Sequence, residues 1–225
     1  MSTTTTTTTE QPRLRIALLI FPGFQALDAF GPIDCLNVLS LTTPITLSIL
    51  SQSLDPVSTK SPFASDSLSQ EILPTHTFAT APEIDVLLVP GGKGVRCLDT
   101  KPITEAIKFI GEVYPSLKYL ITVCTGSALV ARSGVLDGRR ATTNKKVFRE
   151  AKGWRAEVEW VAKARWVVDG NIWTSSGVSA GIDVILAWMG EVYGKEVAKN
   201  IADHIEYERH EDPEDDPFAV LYGLK

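Results

Sequence analysis

One cysteine stands where its thiol can act as a nucleophile. The apolar run 119–123 predicts a buried strand that ends at Cys124, and the Thr-Gly-Ser stretch 125–127 predicts the start of a helix. A sharp turn of this kind lifts a side chain out of the backbone beside a helix N-terminus, where the pKa of a thiol is expected to fall. The pattern resembles a nucleophile elbow with Cys in place of Ser, so we predict Cys124 as the catalytic nucleophile. A small buried cysteine without chemistry is the alternative.

Other candidate site residues follow the neighbouring predicted strands. Asp28 comes shortly after the first strand, and the pair Gly91 and Gly92 follows the strand predicted at 85–89. Because ligands bind beyond the carboxyl ends of strands in such sheets, we expect an acid, closely approachable amides and a thiol to share one crevice. We predict Asp28 as catalytic, and Gly91, Gly92, Thr125 and Gly126 as backbone that binds substrate or stabilises negative charge. The alternatives are a helix cap for Asp28 or Thr125 and a simple tight turn for the glycines.

Apolar runs and turn residues predict the elements that must position these groups. Strands are expected at 14–21, 45–50, 85–89, 119–123, 140–143 and 165–173, the last with a hairpin signal at Asp169-Gly170. Helices are expected at 27–39, 104–114, 127–133, 182–193 and 195–207. The Ser- and Pro-rich stretch 51–77 predicts loops with short strands. The alternation implies the α/β class: a single-domain three-layer sandwich with a mostly parallel sheet and helices on both faces, flavodoxin-like.

Two terminal segments differ in composition from the predicted domain, which spans residues 14–210. Residues 1–13 contain seven consecutive threonines and are predicted to be a disordered tail. They lack the apolar and basic regions of a secretory signal. Residues 211–225 form an acidic C-terminal extension, and the acidic run 208–216 is expected to be a solvated tail.

Composition excludes several classes of protein. The 225 residues are 44% hydrophobic with a net charge of −5, which disfavours nucleic acid and anionic membranes as partners. The cysteines Cys35, Cys97 and Cys124 form no CxxC pair, so neither a metal site nor a disulfide framework is predicted, and a reducing, cytoplasmic location is the simplest inference. Cys35 is expected to pack in the core, and Cys97 has no evident role.

Five motifs in order resemble the ThiJ/PfpI superfamily, a class I glutamine amidotransferase-like group. The resemblance covers roughly residues 14–218 and is closest to the isocyanide (isonitrile) hydratases. The motifs are Phe-Pro-Gly-Phe-Gln-Ala-Leu-Asp at 21–28 with Gly-Pro at 31–32, Val-Pro-Gly-Gly at 89–92, Val-Cys-Thr-Gly-Ser at 123–127, Gly-Arg-Arg-Ala-Thr-Thr at 138–143 and Ser-Gly-Val-Ser-Ala-Gly-Ile-Asp at 176–183.

The resemblance implies a cofactor-independent hydro-lyase. Asp28 stands where the glyoxalase and deglycase branches have Glu, and Thr125 follows the cysteine where other branches place His. The implied reaction hydrates an isocyanide to an N-substituted formamide through a covalent thioimidate, with Cys124 as nucleophile and Asp28 as general acid, its pKa raised by burial. The substrate is a small electrophile, and a homodimer is implied.

Other functions stay open at this point. A glyoxalase or deglycase-type enzyme acting on small carbonyls would use the same cysteine, and a non-enzymatic member would sense redox state through it. A regulator of the AraC type is disfavoured because the chain ends at Lys225. Asn144 stands where bacterial hydratases have His, and this difference leaves the exact substrate open.

Overall fold

A seven-stranded sheet forms the centre of the protein in the computed structural model, which describes residues 12–224. Two short ladders lie apart from it, joining β3 (Val57–Ser58) to β4 (Glu71–Ile72) and β8 (Arg140–Ala141) to β9 (Glu159–Trp160). In spatial order the strands of the large sheet are β10 (Trp166–Asp169), β11 (Ile172–Ser175), β7 (Tyr119–Thr122), β6 (Val86–Val89), β1 (Arg15–Leu19), β2 (Thr46–Ser51) and β5 (His76–Thr77).

Most of the large sheet is parallel. The six strands from β11 to β5 run parallel to their neighbours, and β10 pairs with β11 in the antiparallel sense. In the centre of the sheet, Ile16 of β1 lies opposite Leu47 on one side and Val86 on the other. All four residues of β6 are buried. A parallel strand that is covered on both faces has no polar side, which is why this strand is a continuous apolar run.

Helices pack in two groups on the sheet. One group consists of α1 (Ala26–Ser40), α5 (Ala180–Val192) and α6 (Lys195–His204), which contact one another. The other consists of α2 (Lys101–Val113), α3 (Gly126–Arg132) and α4 (Phe148–Trp154). A short helix, α7 (Pro217–Leu221), follows near the C-terminus. Within residues 12–224, no helix combines the length and apolar character needed to cross a membrane.

The winding of the sheet reverses between β1 and β6. The chain leaves β1 for β2 on one side and later adds β6 on the other side. The loops after β1 and β6 are joined at this point, because the N–H of Gln25 donates to the carbonyl of Gly91 at 2.8 Å and Phe24 forms a bridge with Gly92. A crevice at the carboxyl ends of the strands is expected at such a switch point, and Asp28, Gly91 and Gly92 are all placed beside it.

The sequence-based fold class is confirmed, with local differences. The predicted hairpin at Asp169-Gly170 joins β10 to β11, and 51–77 contains three two-residue strands. Helix α2 begins at Lys101, ahead of the predicted position 104, with Pro102 in its first turn, where a missing N–H costs no helical hydrogen bond. The strand predicted at 140–143 is limited to Arg140–Ala141, and α4 and α7 were not predicted.

The prediction of a solvated acidic tail is wrong for its C-terminal part. Asp216 is buried, and its Oδ2 lies 3.6 Å from the buried Nζ of Lys145. Its Oδ1 accepts from the N–H of Phe218 and caps α7. The carbonyl of Pro213 accepts from the N–H of Arg165 at 2.6 Å. These contacts attach the extension to the domain. The Thr-rich segment predicted to be disordered lies outside the described residues, apart from positions 12 and 13.

Candidate active site

Cys124 sits at a sharp, left-handed turn directly after β7. Its φ of +57° is uncommon for a residue other than glycine. The surrounding chain holds this conformation, since the N–H of Cys124 donates to the carbonyl of Ser176 at 2.9 Å. The carbonyl of Cys124 accepts from the hydroxyls of Ser127, at 3.1 Å, and Thr143, at 3.0 Å. The turn has the geometry of the predicted elbow, and contacts from distant segments fix it.

Two glycines let the elbow approach the end of β6. A Cβ at Gly126 would lie 2.2 Å from the carbonyl oxygen of Val89. A Cβ at Gly91 would lie 2.5 Å from the backbone nitrogen of Thr125. Because any side chain at either position would collide with backbone, both glycines are required for close packing rather than for a turn alone.

Asp28 lies in the first turn of α1 with its carboxyl fully buried. Its Oδ2 accepts from the N–H of Gly91 at 2.9 Å, and its Oδ1 has no hydrogen bond of standard geometry with the described residues. Burial raises the pKa of Asp28 to about 7, opposed by the hydrogen bond from Gly91 and by an interaction with the Cys124 thiol. The N-cap of α1 is Gln25, so Asp28 does not take the capping role considered above.

The pKa of the Cys124 thiol is raised, so the predicted fall is wrong. Burial raises this pKa to about 12, and the neighbouring charge of Asp28 acts in the same direction. Backbone hydrogen bonds from Val178 and Thr125 and the side-chain amide of Asn144, 3.2 Å from Sγ, lower it but are outweighed. The thiol is therefore protonated at neutral pH in the absence of a ligand, because desolvation disfavours its charged form.

The amides of Gly91 and Gly92 are occupied, which corrects their predicted role in charge stabilisation. The N–H of Gly91 holds Asp28, and the N–H of Gly92 donates to the hydroxyl of Thr125 at 3.0 Å. The same hydroxyl donates to the carbonyl of Gly92 at 3.3 Å, and it makes no capping bond to α3. The two glycines therefore position neighbouring side chains, whereas the N–H groups of Thr125 and Val178 face the sulfur.

A cavity of about 530 Å³ has Cys124 in its wall. It is large enough for a substrate of small-molecule size. None of the three histidines is among its lining residues, so a Cys–His pair is absent from this cavity. The lining combines apolar, amide and cationic side chains: Gln25, Phe63, Gly92, Lys93, Arg96, Cys124, Thr125, Asn144, Lys146, Val147 and Val178.

Sequence reasoning missed the contribution of the loop after β11. Ser176 supplies the carbonyl that holds the Cys124 backbone, and Val178, with a φ of +35°, supplies an N–H at the sulfur. Both residues belong to the motif at 176–183, whose sequence alone predicts no role for them. Asn144 was noted as a difference in sequence, and the structure places its amide on the nucleophile.

The other cysteines lie away from this site. Cys35 is buried in α1, where burial raises its pKa to about 12, and Cys97 lines a separate cavity with Pro22 and Ile103. Over residues 12–224, His, Cys, Asp and Glu side chains form no group of three or more suited to a metal ion.

Comparisons with known proteins identify relatives of several functions. The model of the DJ-1/PfpI family matches residues 14–191. An isonitrile hydratase from Pseudomonas putida is 34% identical over 194 residues, which are 86% of this chain and 78% of the hydratase. An HTH-type transcriptional regulator from Pseudomonas aeruginosa is 30% identical over 68% of this chain, which spans 40% of the regulator.

A deglycase and a solved structure are also similar. The deglycase PH1704 from Pyrococcus horikoshii is 38% identical over 112 residues, 48% of this chain and 60% of the deglycase. The crystal structure of a ThiJ/PfpI family protein from Pseudomonas syringae has a TM-score of 0.69 at 28% identity, covering 92% of this chain and 78% of that protein.

Proposed function

We propose that this chain, which belongs to the DJ-1/PfpI family, hydrates an isocyanide to an N-substituted formamide with Cys124 as nucleophile and Asp28 as proton carrier. The observation that carries the proposal is the buried Asp28, whose Oδ1 has no standard hydrogen bond while its carboxyl interacts with the Cys124 thiol. An acid in this position suits a substrate whose carbon must be protonated as it is attacked. The similarity to an isonitrile hydratase supports the same reaction.

The first step moves one proton from sulfur to carbon. Ionised Asp28 takes the thiol proton as Sγ of Cys124 bonds to the isocyanide carbon, and the protonated carboxyl then gives that proton to the same carbon. The product is a thioimidate in which the carbon carries hydrogen and is doubly bonded to nitrogen. Backbone N–H groups of Thr125 and Val178 and the Asn144 amide stabilise the developing thiolate.

The second step uses water and restores the thiol. Asp28, ionised again, takes a proton from water as the water oxygen bonds to the thioimidate carbon, and the imine nitrogen receives the proton. The carbon–sulfur bond then breaks, the hydroxyl proton passes to sulfur, and the formamide leaves. Overall one water adds to one isocyanide, and Cys124 and Asp28 return to their starting states.

The experiment is a comparison of variants on a simple aryl isocyanide. Purified protein should convert phenyl isocyanide to N-phenylformamide, measured by chromatography, and Cys124→Ala should abolish the conversion. Cys97→Ala, in a separate cavity, is the matched control and should keep full activity. A mass increase equal to one isocyanide on Cys124 should be trapped in the wild type. Full activity of Cys124→Ala would overturn the proposal.

A deglycase-type or glyoxalase-type activity is the second candidate, and the similarity to a Pyrococcus horikoshii deglycase supports it. An assay with methylglyoxal beside the isocyanide separates the two, and we expect activity on the isocyanide. A redox-sensing role for Cys124 is less well supported, since its raised pKa keeps the oxidisable thiolate scarce.

A further inference from the structure

Positively charged side chains line the cavity at Cys124, although the chain as a whole carries a net negative charge. Three cationic side chains, Lys93, Arg96 and Lys146, line the cavity, and no Asp or Glu is among its lining residues. The chain as a whole has 22 Lys and Arg residues against 27 Asp and Glu residues. A cluster of one sign on a protein of the opposite net charge points to a partner for that site rather than to a general surface property.

Two of these three charges are uncompensated. Arg96 forms an ion pair with Glu150 at 2.9 Å, which reduces its attraction for a ligand. Lys93 and Lys146 are exposed, and neither has an ion-pair partner within the part of the chain that the structure describes. The uncompensated positive charge in the cavity lining is therefore that of Lys93 and Lys146.

The backbone of the site itself places both lysines. Lys93 directly follows Gly92 and begins a 3₁₀ turn, Lys93–Arg96. Lys146 lies in a second 3₁₀ turn, and its N–H donates to Oδ1 of Asn144 at 3.0 Å, while Nδ2 of Asn144 donates to the sulfur of Cys124. One amide side chain thus connects the nucleophile to the turn that carries Lys146, so the fold holds the backbone of this lysine beside the site.

Apolar side chains occupy the remainder of the lining. Val147 and Val178 are partly buried, and Phe63 extends from the 51–77 loop with 62% of its surface exposed. A ligand that fills this cavity is surrounded by the Cys124 thiol, by apolar side chains and by ammonium groups that also face solvent. Such a lining fits an amphipathic molecule with one anionic end.

We propose that the substrate of this site is an isocyanide that carries a carboxylate on its apolar body, held by Lys93 and Lys146. This inference rests on the proposed function and names its substrate class. The lysines act on binding and encounter, because long-range attraction between exposed charges raises the association rate and is screened by salt. They have no part in the bond-making steps.

The test compares 4-isocyanobenzoate with its uncharged methyl ester. The double variant Lys93→Gln/Lys146→Gln should lower kcat/KM for the acid roughly three- to tenfold, since exposed ion pairs are individually weak, and should leave the ester within about twofold. Comparing the acid-to-ester ratio between proteins cancels the different electrophilicity of the two substrates. Added salt should reduce the ratio in the wild type and leave it unchanged in the variant.

A matched control removes the same charge elsewhere. Lys108 and Lys199 are exposed on α2 and α6, so Lys108→Gln/Lys199→Gln changes the net charge equally without touching this cavity. The control should retain the wild-type ratio. An equal loss in both double variants, or an acid-to-ester ratio that does not change in Lys93→Gln/Lys146→Gln, would overturn the inference.

A second readout is independent of isocyanide chemistry. Iodoacetate and iodoacetamide alkylate the same thiol and differ in charge, and peptide mass spectrometry gives the rate at Cys124. The ratio of iodoacetate to iodoacetamide rates should fall about threefold or more in Lys93→Gln/Lys146→Gln. If this ratio falls and no isocyanide is hydrated, the proposed function fails and the anion preference stands. If isocyanides are hydrated and neither ratio changes, the function stands and the inference fails.

Discussion

Asp28 and Cys124 form a coupled pair whose proton count decides the pH dependence of the proposed reaction. With a pKa of about 7 for the carboxyl and about 12 for the thiol, the pair holds two protons below pH 7 and one proton above it. A thiol beside a carboxylate and a thiolate beside a carboxylic acid contain the same single proton. Kinetics do not distinguish these two forms, so the singly protonated pair is the reactive species by either description.

We therefore expect kcat/KM for an isocyanide to rise with pH and to level off above about pH 7. The increase should approach tenfold for each pH unit below pH 6, because the fraction of ionised Asp28 changes by that factor. Asp28→Asn should lose the plateau above pH 7, because the thiol then has no carboxylate to take its proton. It should also lose a factor on the order of 10²–10⁴ in kcat, the usual contribution of a positioned proton-transfer group. The measurement is initial rate between pH 5 and pH 9. A profile that falls through pH 7 would contradict a single shared proton.

At the scale of single residues, chemical identity was predictable and electrostatic state was not. Cys124 and Asp28 were singled out from their places after predicted strands, and the structure brings the buried Asp28 carboxyl next to the Cys124 thiol. The pKa of Cys124 was predicted in the wrong direction because helix proximity is a local property, whereas desolvation depends on the packing of distant segments. The occupation of the Gly91 and Gly92 amides by side chains depends on tertiary structure in the same way.

At the scale of secondary-structure elements, the contact between the elbow and the end of β6 is the feature most sensitive to substitution. Gly126→Ala would place a methyl group against the carbonyl of Val89, and we expect it to reduce the free energy of unfolding by about 3 kcal/mol through overpacking. Gly153→Ala is the control, because nothing lies within 4 Å of its added Cβ in α4. That change should raise stability by about 0.5 kcal/mol through helix propensity.

Denaturant unfolding of both variants measures these changes. A Gly126→Ala protein as stable as the wild type would show that the elbow moves away from β6 at little cost. The activity of the folded Gly126→Ala protein gives a second measure of the same contact. If the added methyl group displaces the elbow that carries Cys124, this activity should fall.

Elements with a strong apolar pattern or a clear start signal were predicted well, and short elements with neither were not. The central strands β1, β6 and β7 consist mainly of apolar residues, a pattern that is visible in the sequence. Helix α3 also has only seven residues, but the Thr-Gly-Ser stretch 125–127 marks its start. By contrast α4 and α7, with seven and five residues, were not recognised by any start signal and are too short to establish a helical period, and Gly153 weakens the pattern in α4. Their helical structure comes from packing against neighbours that are distant in sequence.

At the scale of the whole molecule, the acidic C-terminal segment packs against the domain. Composition alone made residues 208–216 look solvated, yet Asp216 pairs with a lysine 71 positions earlier in the chain, and such a pairing has no local signature. The buried Lys145 ammonium also donates to the hydroxyl of Thr142 at 2.6 Å and to the carbonyl of Thr143 at 3.2 Å. This network joins the last helix to the segment that carries Asn144.

We expect Asp216→Asn to reduce the free energy of unfolding by about 3 kcal/mol at pH 7, because it leaves the buried Lys145 charge without its counter-ion. Asparagine keeps the oxygen that caps α7, so the change isolates the charge. Burial lowers the pKa of Lys145 to about 8 although Asp216 raises it, so removing the carboxylate lowers this pKa further. The difference between the proteins should therefore shrink as pH rises toward 8, where the wild-type ammonium also loses its proton, and change little above it. Asp215→Asn, at an exposed position, is the control and should stay within about 0.5 kcal/mol.

The hydrogen bond from the N–H of Cys124 to the carbonyl of Ser176 also determines when, during protein synthesis, the turn at Cys124 can form. Ser176 lies 52 positions after Cys124, so a ribosome synthesises the cysteine well before the carbonyl that holds its turn. Until β11 has joined β7, the elbow lacks this anchor and the Val178 N–H beside the sulfur. In a nascent chain the turn at Cys124 therefore lacks its supporting contacts until residues 172–178 have been synthesised and have folded against β7.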